Sequence, residues 1–326
     1  MSYQTGTALH VDDLLDKLRV FVAANGWTQD KWVAGGGDGH SSELYIHKGA
    51  SYFAFEAGVT SGSQSYHGVV QVIDLPWIDI YGATGHAGGS PIDSQPNTSV
   101  ESRVSELMPN MTAYHFFTDP AQTYMHVVVE TTANEFRHII VGLCNKLGAY
   151  DGGEYHLHHE PAQTLAGMND PEYFVTHLPF HGFTSNGSRT GKFHCNIDGV
   201  RWKQYYFNTI FSSMIPPVAF GNTGFPLDMM WGLHSAEVAQ PNTFNTQPVL
   251  LNISCGWTVR SSTVMTPVGH FPDVRAVNMK NLVPSSTLTL GGDDWLIFPM
   301  TEKKDPNISD GLPNSGWAGL AYLKVP

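Results

Sequence analysis

Apolar positions recur along this chain at two different periods. Over residues 11–22, Val11, Leu14, Leu15, Leu18 and Val22 return at the three- and four-residue steps that place side chains on one face of a helix. Asp12 and Asp13 suit the positive end of that helix, and Gly26 supplies a stop. A helix this short has to dock its apolar stripe on something else.

Beyond Gly26 the pattern is that of strands. "ELYIHKGASYFAFEA" (43–57) divides into two β-rich runs around the turn HKGA, and "YMHVVVETT" (124–132) with "FRHIIVGLC" (136–144) predicts a second hairpin. "VVQVIDL" (69–75), "WKQYYFNTIF" (202–211), "PVLLNISCGWTV" (248–259), "STLTL" (286–290), "WLIFPM" (295–300) and "WAGLAYLKV" (317–325) extend the series. Separated by Gly, Pro, Asn and Asp, with almost no helix between them, these runs predict a mainly β fold. Its sheets are antiparallel, sandwich or barrel-like, with one short amphipathic N-terminal helix. "EPAQTLAGMNDPEY" (160–173) has two Pro and a Gly that interrupt any period, and it marks a linker. Division there gives an N-terminal helix plus β region, 1–165, and a second β region, 166–326, whose last strands are free to return to the first sheet.

Composition narrows the function classes. Only 14% of the 326 residues are charged, against about 25% in an average protein, while Gly (33) and Pro (20) are plentiful. Aromatics at 12% supply ample material for a core and exclude a disordered chain. The net charge of −12 comes with no cluster of Lys and Arg, which argues against nucleic acid as a partner. Cys144, Cys195 and Cys255 are far apart and read as buried free thiols. No apolar run approaches the roughly 18 residues of a membrane span, and the amino terminus lacks the basic-then-apolar order of a signal peptide. The expectation is a protein assembled in a cytoplasm, with no membrane partner.

Candidate chemistry centres on residues 152–160, "GGEYHLHHE". Glu154, His156, His158 and Glu160 stand at alternate positions, which share one face of an extended strand. Carboxylate and imidazole are ligand types for zinc, manganese or iron, so Glu154, His156 and His158 form the candidate metal set, and a structural ion is the one cofactor it would take. The spacing departs from the HxH pattern of cupin metal sites, whose Gly and Glu lie farther from the His pair. With sixteen His in the chain, a solvated strand face carrying His and Glu is the preferred reading.

Other motifs add little chemistry. "YGATGHAGGSP" (81–91) lacks the Lys-Ser/Thr pair of a phosphate-binding loop and reads as a flexible loop. "DGGEY" and "LGGDDW" read as tight turns in which Gly supplies positive φ. Asp293 and Asp294 would need more oxygens to hold calcium. There is no GxSxG elbow, and nothing selects a pair of glycosidase carboxylates, so no catalytic residue is assigned. Eight Trp leave room for a sugar-stacking platform, although most are expected in the core or at subunit contacts.

Two stretches resemble structural proteins of tailed-bacteriophage virions. One is residues 110–159, with its aromatic hairpin, "EFRHIIVG" and a turn ending "GGEY"; the other is residues 269–325, where a proline-bearing strand and "WLIFP" precede a closing aromatic strand. The short helix followed by "NGW" at Asn25–Trp27 belongs to the same resemblance. It implies a non-enzymatic tail or baseplate component of the virion that works through contacts with copies of itself and other virion proteins. Two alternatives stand beside it: a receptor-binding or fibre-attachment protein contacting host glycans, and a His/carboxylate metalloenzyme of β-sandwich type.

Overall fold

The computed structural model describes residues 2–35, 41–66, 69–99, 101–158, 192–195, 202–204, 248–258, 265–300, 302–303 and 318–325. In chain order the elements are β1 (Tyr3–Ala8), α1 (Val11–Ala24), β2 (Thr28–Val33), β3 (Ser42–Lys48), β4 (Ser51–Tyr66), β5 (Val69–Ala83), β6 (Ser102–Ser105), β7 (Met111–Phe117), β8 (Tyr124–Thr132) and β9 (Glu135–Leu143). They continue with β10 (Asn145–Lys146), β11 (Gly152–His158), β12 (Lys192–Cys195), β13 (Trp202–Gln204), β14 (Leu251–Thr258), β15 (Met265–Asn278), β16 (Thr287–Leu290), β17 (Asp293–Pro299) and β18 (Ala318–Leu323). The fold is mainly β with antiparallel pairing and a single α-helix among the described residues, as the periodicities predict.

The strands form three sheets. A seven-stranded sheet has the order β1-β7-β8-β9-β11-β12-β13, a five-stranded sheet β2-β3-β4-β5-β6, and a third β10-β15-β18-β17-β16 with β14 also on β15. The seven-stranded sheet is the middle layer. One of its faces presents Phe117, Val128, Phe136, Ile140, Tyr155 and Leu157 to the third sheet. The other presents Phe116, Val127, Val129, Ile139 and Val141 to α1 and the five-stranded sheet. Burial on both faces explains why "HVVV" and "RHIIV" are continuous runs rather than alternations.

Helix α1 closes the space between the middle and five-stranded sheets. Its stripe of Val11, Leu14, Leu15, Leu18, Phe21 and Val22 is buried, and each large side chain contributes roughly 1.5–3 kcal/mol. The N-cap is His10, whose Nδ1 accepts the Asp13 N–H at 3.2 Å. Asn25 caps the other end, donating its side-chain amide to the Phe21 carbonyl at 2.8 Å, and Gly26 follows at φ 82°. Ser42 on β3 donates to the buried Asp12 carboxylate at 2.5 Å and so ties the helix to its sheet.

Turn chemistry follows the sequence where Gly is required. Gly49 (φ 61°) lies in the β3–β4 turn, and Gly291 (φ 67°) and Gly292 (φ 95°) link β16 to β17. The Gly-rich segment after β5 differs from its predicted flexibility. Gln95, buried beneath it, accepts from the Ala87 N–H at 2.8 Å and donates to the carbonyls of Ser90 (3.0 Å) and Pro91 (3.1 Å). One side-chain amide thus does for this loop what a sheet ladder does elsewhere.

Residue 165, where the sequence divides the chain, lies outside the described residues. Strands from either side of it share sheets: β12 and β13 continue from β11, and β10 pairs with β15. No described helix is long and apolar enough to cross a membrane.

Candidate functional site

β11 carries the row of potential ligands, and its pairing with β9 sets Glu154 opposite Leu143, His156 opposite Val141 and His158 opposite Ile139. Gly152 and Gly153, at φ 98° and 109°, let the chain enter the strand through a bulge against β12. Tyr155 and Leu157 then point into the apolar layer shared with the third sheet. Glu154 and His156 take the opposite face, toward β5 and β6.

That face is dry. Glu154 is 9% exposed and His156 0%, which overturns the reading of a solvated face. His194 of β12 donates from Nδ1 to Glu154 at 2.7 Å, and Ser51 donates to the same carboxylate at 3.4 Å. His156 Nε2 shares a 2.7 Å hydrogen bond with Ser99 Oγ, which also accepts the Gly82 N–H at 2.9 Å. Trp202 of β13 closes the group, stacked on His194 at 5.1 Å and tilted against His156 at 5.4 Å. Its indole N–H reaches the Asn97 carbonyl at 3.0 Å.

The metal set is therefore divided among separate partners. Glu154 belongs to His194 and Ser51, and His156 to Ser99. The His158 side chain and Glu160 lie outside the described residues. Among those that are described, no group of three or more His, Cys, Asp or Glu is arranged to hold a metal ion, Asp293 and Asp294 included. Asp294 instead accepts from the Thr289 hydroxyl at 2.6 Å. His194 was invisible to the sequence reading, because the short "KFHC" run gives no sign of which strand it will join.

Two further ionic groups were also missed. Across the five-stranded sheet Glu43, Glu56, Asp79 and Arg103 stand directly opposite one another in neighbouring strands. Like charges so placed repel; Arg103 answers with two bonds to Asp79 at 2.6 and 2.5 Å, and Lys31 with one to Glu43 at 2.7 Å. Burial, with Asp79 beside it, raises the Glu56 pKa above the usual carboxylate range. The second group is Arg137 on β9, 1% exposed, which donates to Glu106 at 2.7 Å and Glu135 at 2.6 Å. Glu106 Oε1 and Arg137 Nε are buried without a hydrogen-bond partner among the described residues, and burial raises the Glu106 pKa.

The described Trp side chains are all engaged. Trp27 and Trp295 are buried. Arg19 lies over Trp32, and Arg103 covers Trp77 at 4.0 Å. Trp231 and Trp317 and the side chain of Trp257 lie outside the described residues, as do the side chains of Cys195 and Cys255; Cys144 is a buried thiol 3.2 Å from the Tyr150 hydroxyl.

Fold and site together define a layered β protein in which Glu154 and His156, of the candidate ligand row, are bonded to other side chains. The chain matches no protein-family profile and no curated protein sequence.

Proposed function

We propose that the protein is a non-enzymatic structural component of a tailed-phage virion, in the tail or baseplate, acting through contacts with copies of itself and other virion proteins. The phage setting rests on the sequence resemblance. The observation that carries the assembly reading is the β4–β5 ribbon. The two strands pair without interruption from Tyr52↔Ala83 to Tyr66↔Val69, whereas among the described residues β3 accompanies β4 as far as Ala57 and β6 pairs β5 over Trp77–Ile80.

Among the described residues the ribbon has no third strand beyond Val59↔Pro76, over roughly 25 Å at about 3.3 Å per residue. A lone two-stranded ribbon is marginal in water. Its second strand contains Val69, Val70, Val72, Ile73 and Leu75, residues suited to pairing and burial against a neighbour. A ribbon of this kind has a use in an assembly.

The test is the state of association. Purified full-length protein should sediment as an oligomer. A variant with residues 61–74 replaced by Asn-Gly should keep the β-rich circular dichroism spectrum and sediment as a monomer. A parent that stays monomeric at high concentration contradicts the reading. Binding to a glycan array by that monomer would favour the receptor-binding alternative instead, and bound metal with turnover would favour the metalloenzyme.

A further inference from the structure

We propose that His115, His126 and His138 form an acid-operated latch between the middle sheet and the β15–β18–β17 layer, which releases that layer when the imidazoles take up protons. The proposal does not depend on the phage reading.

The three residues share one face. Phe117 pairs with His126, and Val128 pairs with both His115 and His138, so two adjacent rows of the β7–β8–β9 face carry imidazoles toward the third sheet. Each central strand of that sheet supplies an acceptor, a donor or a packing surface. His126 Nε2 meets the Pro272 carbonyl of β15 at 2.8 Å, and His138 Nε2 meets the Pro299 carbonyl of β17 at 2.9 Å. A carbonyl only accepts, so both Nε2 atoms carry hydrogen. His138 Nδ1 then accepts the hydroxyl of Tyr322 on β18, at 2.8 Å. The Tyr322 ring is itself stacked on Phe117 at 5.1 Å and on His138 at 5.8 Å. His115 packs against Phe298 of β17 at 4.8 Å and shares a 3.0 Å bond with Tyr3 Oη.

These contacts suit the neutral ring. A second proton on His138 Nδ1 would face the Tyr322 hydroxyl hydrogen and put a cation among Val128, Phe136, Ile140 and Phe298. Nearby charges give no relief. Asp273 on β15 accepts from Tyr124 at 2.7 Å and Gln122 at 3.3 Å, Arg275 lies over Trp295, and Lys324 lies over Tyr3. Arg137, next to His138, adds to the opposition. Burial pulls all three imidazoles down to about 4, against the carbonyl bonds of His126 and His138 that act the other way.

The sign follows from linkage. Above pH 6.5 the rings are neutral whether the layer is closed or released. Between 6.5 and 4 the released form binds protons that the closed form refuses, so release gains up to about tenfold per pH unit for each ring. Asp273, raised by burial, binds its proton better in the closed form and moderates the effect.

Amide hydrogen exchange on the full chain, corrected for the intrinsic rate, tests this. From pH 7.5 to pH 5 the opening constants of 265–278, 293–299 and 318–323 should rise by at least about a hundredfold, and at pH 5 they should exceed those of 11–24 and 43–57, which open only with the whole chain, by at least about tenfold. Opening constants at pH 5 that are equal in all segments, or no rise in the third layer, overturn the proposal. Imidazole proton resonances of the parent supply a second measurement: three rings should stay untitrated above pH 5 while the layer is closed. If all rings titrate near 6.5 with the layer still protected, the proposal is likewise overturned. His115→Asn, the least buried site, should lower the proton uptake on opening from about three to about two.

Discussion

Trp202 of β13 lies across Gly82 of β5 so closely that a Cβ on residue 82 would stand 2.1 Å from the indole. The contact joins the edge of the middle sheet to the five-stranded sheet, and Trp77 lies on Gly58 in the same way, 2.5 Å from the corresponding Cβ position. Gly82 is flanked by strand pairing, so its backbone cannot retreat. Gly82→Ala should lower stability in urea by about 1–3 kcal/mol, and Gly82→Ala with Trp202→Leu should recover part of the loss. Equal additive losses in that double-mutant cycle would show that the two residues do not meet.

The buried guanidinium of Arg137 makes a second test. Arg137→Met leaves Glu106 without its cation, and breaking a buried pair in this way costs about 3–5 kcal/mol. Because the Glu106 carboxyl already has a raised pKa, it escapes by taking a proton as the medium is acidified. The loss measured in urea should therefore shrink between pH 7.5 and pH 5. A loss that is independent of pH would mean that packing around Arg137, not its charge, supports the site.

Global stability should fall as pH drops below 6.5. His115, His126 and His138 have folded-state pKa values pulled down to about 4 by burial. Their contribution is fully present above the unfolded value near 6.5 and is lost as pH falls through that window to 4, about 3 kcal/mol for each ring. Glu106 and Asp273, both raised by burial, work in the opposite direction and reduce the net slope. Urea midpoints at half-unit steps from pH 7.5 to 4.5 measure it; a flat or rising curve contradicts the assignment.

Gln95→Ala removes the amide that holds Ala87, Ser90 and Pro91. Limited proteolysis should then cut within 84–91 at least about tenfold faster, with a loss of about 1–3 kcal/mol in overall stability from the backbone groups left unpaired. An unchanged cleavage rate would show that the loop holds its shape without Gln95.

His156→Ala should destabilise by about 2–4 kcal/mol, since it opens a cavity beside Trp202 and leaves the buried Ser99 hydroxyl with the Gly82 N–H alone. Chelator should leave the parent's melting temperature unchanged, because Glu154 and His156 are committed to protein partners. Stoichiometric metal in the purified protein, lost in a His156→Ala/His158→Ala variant, would reinstate the ligand row.

Periodicity sufficed for α1, whose buried stripe is a local property of residues 11–22, and for the β3–β4 and β8–β9 hairpins, whose pairing is closed by adjacent turns. β1, β2 and β6 gave no such signal. They are edge strands, held by the ladder of the strand beside them rather than by a pattern of their own. The candidate row was legible as an alternation on β11, but its environment was not. Whether an alternate face is wet depends on what packs over it, and here that is β5, β6 and Trp202, brought from distant parts of the chain. The same holds for His126 and His138: sequence placed them in strands, and only the stacking of a third sheet made them neutral, dry and joined to carbonyls far along the chain.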